Sequence, residues 1–333
     1  MDWELLTNQV LEGHAVTREE ALGILRTPDD DLLSLLHAAF RIRRRHHGRR
    51  VRVHVLQNAK SGACPEDCAF CSQSVRYNAD VKRYKTQTVQ ELVDGARAAH
   101  ASGAVTYCMV TATRDPSSAD LDVMCEAVRQ IKDELPLKLC TSLGLLTESS
   151  ARRLADAGVD RYNHNLESSR EFFSELCTTH TWEDRHDTLR HAKASGMEAC
   201  AGGIVGMGES EEDRVDLALA LRDLGVESVP VNLLNPRPGT PLGHVSQLRP
   251  QDALKALAMF RYVHPDRDVR IAGGREVVLG TMQPLALYVA NSIFSNGYLT
   301  TGGQGESVDA KMLAEAGFEI EVVEEAPPAR ASA

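Results

Sequence analysis

From Val51 onward the chain alternates short β-branched runs with amphipathic helical runs, and this alternation limits the fold more than any other feature. Strand-like runs fall at 51–57, 105–110, 137–143, 161–165, 198–205, 228–234, 269–272 and 291–294. Helical patterns fill the gaps at 89–102, 119–134, 147–157, a stretch ending at 195, then 211–224 and 251–263. Gly158, Gly196 and Gly225 stand where helix C-termini favour a residue without Cβ. Strands joined through helices must lie parallel, and eight of them close naturally as an α/β fold of the (β/α)8 TIM type. On pattern alone an open doubly wound sheet is the alternative. A chain of 333 residues suits one such barrel. The division read from the sequence is an N-terminal helical extension over 1–48, a barrel over 49–320 and a disordered tail over 321–333.

The loop that leaves the first strand carries Cys64, Cys68 and Cys71 in a C-x3-C-x2-C spacing, with Gly62 and Pro65 opposing helix there. Three close thiolates leave a zinc ion or a cubic iron–sulfur cluster one ligand short. Structural zinc is normally closed by a second knuckle, and the chain has none. An iron–sulfur cluster with one iron open to a small molecule fits better. Three further thiols, Cys108, Cys140 and Cys200, fall on separate strand runs. Inward residues of distant barrel strands meet on the axis, so the three can build one site. They can equally be small core residues. Period two turns Lys138 the same way as Cys140, which requires a polar barrel mouth.

With Ala63-Cys-Pro-Glu-Asp-Cys68, the motifs Phe70-Cys-Ser-Gln73, Tyr162-Asn-His-Asn-Leu166, Gly202-Gly-Ile-Val-Gly206 and Gly274-Arg-Glu276 closely resemble the biotin synthase family of radical S-adenosylmethionine (SAM) enzymes. The resemblance implies a [4Fe–4S] cluster on Cys64, Cys68 and Cys71 with SAM on its open iron. It implies a second, [2Fe–2S] cluster on Cys108, Cys140, Cys200 and Arg270. Ligand chemistry alone would not nominate Arg270, since a guanidinium keeps its proton. Ile204, Arg185, Asn163 and Glu167 are implied as SAM contacts, with Glu167 standing where relatives commonly carry Asp. Asn165 and Asn232 are implied to hold the ureido ring of dethiobiotin. The implied reaction closes the thiophane ring of biotin, the last step of its biosynthesis, by hydrogen abstraction and insertion of sulfur from the second cluster. An electron donor such as flavodoxin and a homodimer are implied as well. No catalytic acid–base pair is needed, and none is evident.

The remaining features are read more plainly. Gly202 to Glu209 imitates a phosphate-binding glycine loop but lacks the P-loop Lys-Ser/Thr, so close backbone approach is the expected use. The basic run 41–50 reads as a solvated helix C-terminus complementing the dipole. Cys125 and Cys177 match no ligand position and read as bystanders, and Arg275 as an ion-pairing residue. A net charge of −10 disfavours nucleic acid or an anionic membrane as partner. No signal peptide or membrane span is evident, which points to the cytoplasm. Competing readings are another radical SAM enzyme such as a metallocofactor maturase, an iron–sulfur electron carrier, and a zinc-stabilised module.

Overall fold

The computed structural model describes residues 2–295 and 297–322. Its centre is a closed parallel barrel. The strands are β1 (Arg50–Lys60), β2 (Thr106–Thr111), β3 (Lys138–Ser142), β4 (Arg161–Asn163), β5 (Glu198–Cys200), β6 (Gly203–Val205), β7 (Ser228–Leu233), β8 (Asp268–Ile271) and β9 (Ser292–Ser295). They pair in sequence order, and β1 also pairs β9 through Arg52–Ser292 to Val55–Ser295. That pairing closes the ring and rules out an open doubly wound sheet. The run read as one strand over 198–205 is broken: β5 meets β7 only at Cys200–Ser228, and β6 resumes at Gly203–Val231. Together they fill one of eight barrel positions. A short β10 (Glu319–Ile320) lies outside the ring, paired with the first residues of β1, Arg50 and Val51. Glu321 continues it, donating its backbone N–H to Val51 and pairing with Arg52 at 2.9 Å; residues 323–333 lie outside the described residues.

Five of the helices between strands begin at Ser or Thr caps that accept from the third helical N–H, at Thr88, Ser117, Thr147, Thr181 and Ser210. Their apolar faces cover the sheet in two core clusters, around β7–β9 and around β2–β4. The N-terminal helices Trp3–Leu11, Arg18–Leu25 and Leu32–His47 pack on the same core and close against the helix Pro250–Val263. The basic run is not simply solvated. Arg43 is fully buried, and its guanidinium donates to the carbonyls of Ala290, Gly48 and Arg50, joining the helix end to the strands. Among the described residues no helix is long and apolar enough to cross a membrane.

Candidate active site at the barrel mouth

A cavity of about 280 Å3 opens at the C-terminal end of the strands, the end where barrel enzymes keep their working side chains. Cys64, Cys68 and Cys71 line it together with Asn163, Asn165, Glu167, Arg185, Ile204 and Asn232. The residues singled out at the mouth therefore meet in one space, although they come from five parts of the chain.

The cysteine loop is irregular and is held by side chains. Gln73 Oε1 accepts from Asn58 Nδ2 at 3.3 Å, Ser61 Oγ at 3.0 Å and the Gly62 N–H at 3.3 Å. Asp67 accepts from the backbone N–H groups of Thr178 and Thr179 at 2.9 and 3.2 Å, and Ala69 N–H donates to Leu176 O at 2.8 Å. Cys64 and Cys71 are half-buried and Cys68 buried. Burial pushes the Cys64 thiol up to about 11 and raises Cys71, while Cys68 is raised first by its contact with Cys177 and then by burial. Thiols raised in this way are largely protonated until a metal centre binds, so binding one releases protons. The donor set fits a cubane that shows one iron to the cavity.

Behind the loop runs a chain of charged groups that sequence inspection does not reveal. Arg114 Nη1 donates to Glu66 Oε1 at 2.9 Å, and the other Glu66 oxygen meets His180 Nδ1. His180 Nε2 accepts from Arg185 Nε at 2.9 Å. One ring nitrogen faces a carboxylate and the other a guanidinium N–H, so Nδ1 donates to Glu66 and Nε2 accepts from Arg185. Arg185 is aimed in this way. Its Nη1 donates to Asn165 O at 2.8 Å and lies 3.4 Å from Glu167, and its Nη2 lies 3.8 Å from Cys68 Sγ. Glu167 is buried, with φ +68, and burial raises its carboxyl.

The glycine segment is explained by its neighbours. A Cβ on Gly202 would fall 1.8 Å from Pro230 O, and one on Gly203 would fall 2.4 Å from Glu167 O. The close approach is to backbone, of β7 at Pro230 and of the segment after β4 at Glu167. The N–H groups of Gly206 and Met207 donate to Glu209 at 2.8 and 2.6 Å, so a carboxylate of this chain fills the place where a phosphate loop would hold its ligand. Asn232 Oδ1 accepts from Gly273 N–H at 2.9 Å and its Nδ2 donates to Gly203 O at 3.2 Å. Asn165 Oδ1 accepts from Gly202 N–H at 3.2 Å. Each amide keeps one further donor and one further acceptor position for a ligand.

One layer down, Cys108 on β2 stands directly opposite Cys140 on β3. Both are two residues before Val110 and Ser142, which line the cavity, so the thiols share the inward face of their strands, about 7 Å further back along them. Cys200 Sγ lies 3.7 Å from Arg270 Nη1. All three thiols and Arg270 are at most 3% exposed. Cys140 is raised first by Cys108 and then by burial, and Cys200 by burial. Arg270 Nη2 donates to Ser228 Oγ at 2.9 Å and Asp268 Oδ2 at 3.1 Å, and lies 3.2 Å from His54 Nε2. Its Nε has no partner among the described residues. A buried guanidinium N–H left open beside three buried thiols fits a cluster at this place. Burial alone would push Asp268 up, yet Arg270, His54 and Arg161 hold it well below the usual range. Lys138 does face the interior with Cys140, and it pairs with Glu198 at the open N-terminal end, where both are about one-third exposed.

Cys125 is a core thiol of the helix Ser118–Glu134, with Sγ 3.6 Å from Arg153 O. Cys177 is no bystander in position: its Sγ lies 3.9 Å from Cys68 Sγ. Arg275 is fully buried and pairs with Asp309 at 2.9 Å.

A closed parallel barrel with three loop thiols at its mouth defines a radical SAM enzyme, and residues 58–221 match the Radical SAM superfamily. That class carries a [4Fe–4S] cluster and SAM. Methylornithine synthase superposes with a TM-score of 0.84 at 20% identity, covering 95% of this chain and 97% of its own. An FeFe-hydrogenase maturase from Carboxydothermus hydrogenoformans gives 0.82 at 15% identity, covering 97% and 80%. Both likenesses concern the fold alone. Residues 230–319 match the Biotin and Thiamin Synthesis associated domain. The biotin synthase of Salinibacter ruber is 63% identical over 325 residues, 98% of this chain and 90% of that protein. That of Bacillus subtilis is 49% identical over 323 residues, 97% and 96%. The chain belongs to the biotin synthase family, enzymes that are radical SAM sulfurtransferases.

Proposed function

We propose that the cavity converts dethiobiotin to biotin, with Cys64, Cys68 and Cys71 holding the [4Fe–4S] cluster. A [2Fe–2S] cluster on Cys108, Cys140, Cys200 and Arg270 is the sulfur source. The observation that supports this reading is the grouping of three buried strand thiols with Arg270 inside the same barrel whose mouth the loop thiols line. When bound, the upper cluster and SAM supply the electron transfer and the carbon radical that abstracts hydrogen. The chain binds, orients and excludes water. Arg185, held by His180, meets the SAM carboxylate; Asn163 and Glu167 face its ribose end, and Ile204 packs its adenine. Asn165 and Asn232 bind the ureido group through the donor and acceptor positions their backbone partners leave open. Arg270 would complete the lower ligand set, oriented by its hydrogen bonds to Ser228 and Asp268. The enzyme acts in the cytoplasm as a homodimer, reduced by a flavodoxin-like donor.

The test uses protein reconstituted with isotopically labelled sulfide and allowed a single turnover on dethiobiotin with SAM and a reductant. Labelled biotin is expected. Unlabelled biotin, with the [2Fe–2S] absorbance undiminished, excludes the donor role.

A further inference from the structure

The proposed chemistry gives no task to Cys125 or Cys177, and of the two Cys177 is the one that stands beside a cavity thiol. It follows the short helix Phe173–Leu176, is 5% exposed, and stands 3.9 Å from Cys68, sulfur to sulfur. The backbones on either side are laced together. Ala69 N–H donates to Leu176 O at 2.8 Å, and Asp67 accepts from the N–H of Thr178 at 2.9 Å. With both segments fixed side by side, side-chain rotation is what separates the sulfurs from a bond of about 2.05 Å. Cys68 lines the open cavity and Cys177 does not, so one thiol faces incoming reagents and the other stands behind it. Cys68, Cys177 and His180 are also close enough to share one metal ion. Both ring nitrogens of His180 are already engaged, by Glu66 and by Arg185, which leaves the pair of thiols as the reactive unit.

We propose that Cys68 and Cys177 form a reversible disulfide in the cluster-free protein, withdrawing Cys68 from the cluster. The bond itself follows from the geometry; its effect on cluster loading rests on the reading of Cys68 as a ligand. The oxidant is a small disulfide such as oxidised glutathione. The Cys68 thiolate attacks one of its sulfurs and expels a glutathione thiolate, which takes up a proton. The Cys177 thiolate then attacks the Cys68 sulfur of the mixed disulfide and expels the second glutathione. Two protein thiols lose two electrons and two protons, and the oxidant gains them as two thiols. In the loaded protein the Cys68 sulfur is bound to iron and is not available. The modification therefore marks the empty state, and a dithiol reverses it.

Full-length protein, stripped of metal anaerobically, is treated with oxidised glutathione, alkylated, digested and analysed by tandem mass spectrometry. The expected product joins Cys68 to Cys177. Subsequent loading of the [4Fe–4S] cluster from iron and sulfide should slow by about tenfold or more and recover with dithiothreitol. Cys177→Ala and Cys177→Ser should form no such link and, lacking the resolving thiol, should instead keep one glutathione on Cys68, seen as an added mass that dithiothreitol removes. Cross-links confined to Cys64, Cys68 and Cys71, or glutathione retained on the wild-type protein, overturn the proposal. A reduced, untreated wild type that takes up no [4Fe–4S] cluster defeats the ligand assignment instead, and leaves the cross-link standing.

Discussion

The two sets of thiols are built by opposite means. Cys64, Cys68 and Cys71 sit on an irregular loop whose shape depends on side chains: Gln73 collecting three donors, Asp67 collecting two backbone N–H groups. Cys108, Cys140 and Cys200 sit on strands, where register alone sets their spacing, and Arg270 is set the same way from β8. The loop set is partly open to the cavity and the strand set is closed from it. A loop can adjust to a cubane and its ligand as they come and go. A strand layer offers one geometry, which suits a centre that must stand at a defined depth under the substrate.

The sharpest way to break this comparison is to remove one thiol from each set. Cys68→Ala should abolish deoxyadenosine formation, because two thiolates do not hold a cubane with one iron exposed. Cys140→Ala should keep the [4Fe–4S] absorbance, lose that of the second cluster and make no biotin. Joint loss of both absorbances in Cys140→Ala would mean that the sets are not independent.

Next in size is the floor of the barrel. Asp268→Asn removes the carboxylate that faces Arg270, Arg161 and His54. Leaving buried charge unpaired costs roughly 3–5 kcal/mol, so the thermal midpoint should fall clearly. Arg114→Gln, at the partly exposed end of the mouth's charge chain, should leave the midpoint almost unmoved. Equal losses would show that the mouth is as tightly built as the floor.

Smaller effects separate the two ligands. Asn232→Ala and His180→Ala should each cost roughly 1–3 kcal/mol in one binding equilibrium. The first should weaken dethiobiotin and spare SAM. The second, by releasing Arg185, should weaken SAM and spare dethiobiotin. Isothermal titration of each ligand checks both, and parallel loss in either variant argues for misfolding.

The smallest effect is on pH dependence. Burial, then Arg270, holds the His54 pKa well below its usual value. Below about pH 6.5 the unfolded chain binds this proton and the folded chain does not. Stability should therefore decline as the pH falls, by about 1.4 kcal/mol per pH unit from this group. Denaturant titrations at pH 7 and pH 5.5 should show a smaller decline in His54→Gln than in wild type.

Much of this arrangement was legible in the sequence because periodicity carries it. Strand runs with crossover helices implied the barrel, and C-x3-C-x2-C on a strand-leaving loop implied an open metal site. The two-residue period put Lys138 on the side of Cys140 and called for a polar mouth, whereas the polar partner, Glu198, lies at the opposite, N-terminal end of the barrel. Other parts depend on contacts between distant residues, which no local pattern records. Cys177 lies 109 residues from Cys68, and the Glu66–His180–Arg185 chain joins a loop to a helix across a similar gap. Arg43 looked like one of several surface arginines because burial by Ala290 and Arg50 is invisible in its neighbours. The break at Ala201-Gly202 was hidden for a related reason: only the proximity of Pro230 shows why no side chain fits there.

The pairing of β1 with β9 has a consequence in time. Arg52 meets Ser292, so the first strand must wait for about 240 further residues before the ring can shut. At ribosomal speeds of about 5–20 residues per second that is a delay of roughly ten to fifty seconds. During it, Cys108 and Cys140 are already made but have no barrel around them, and Arg270 does not yet exist. The lower side chains can therefore be enclosed by the ring only after Ser292 has been made.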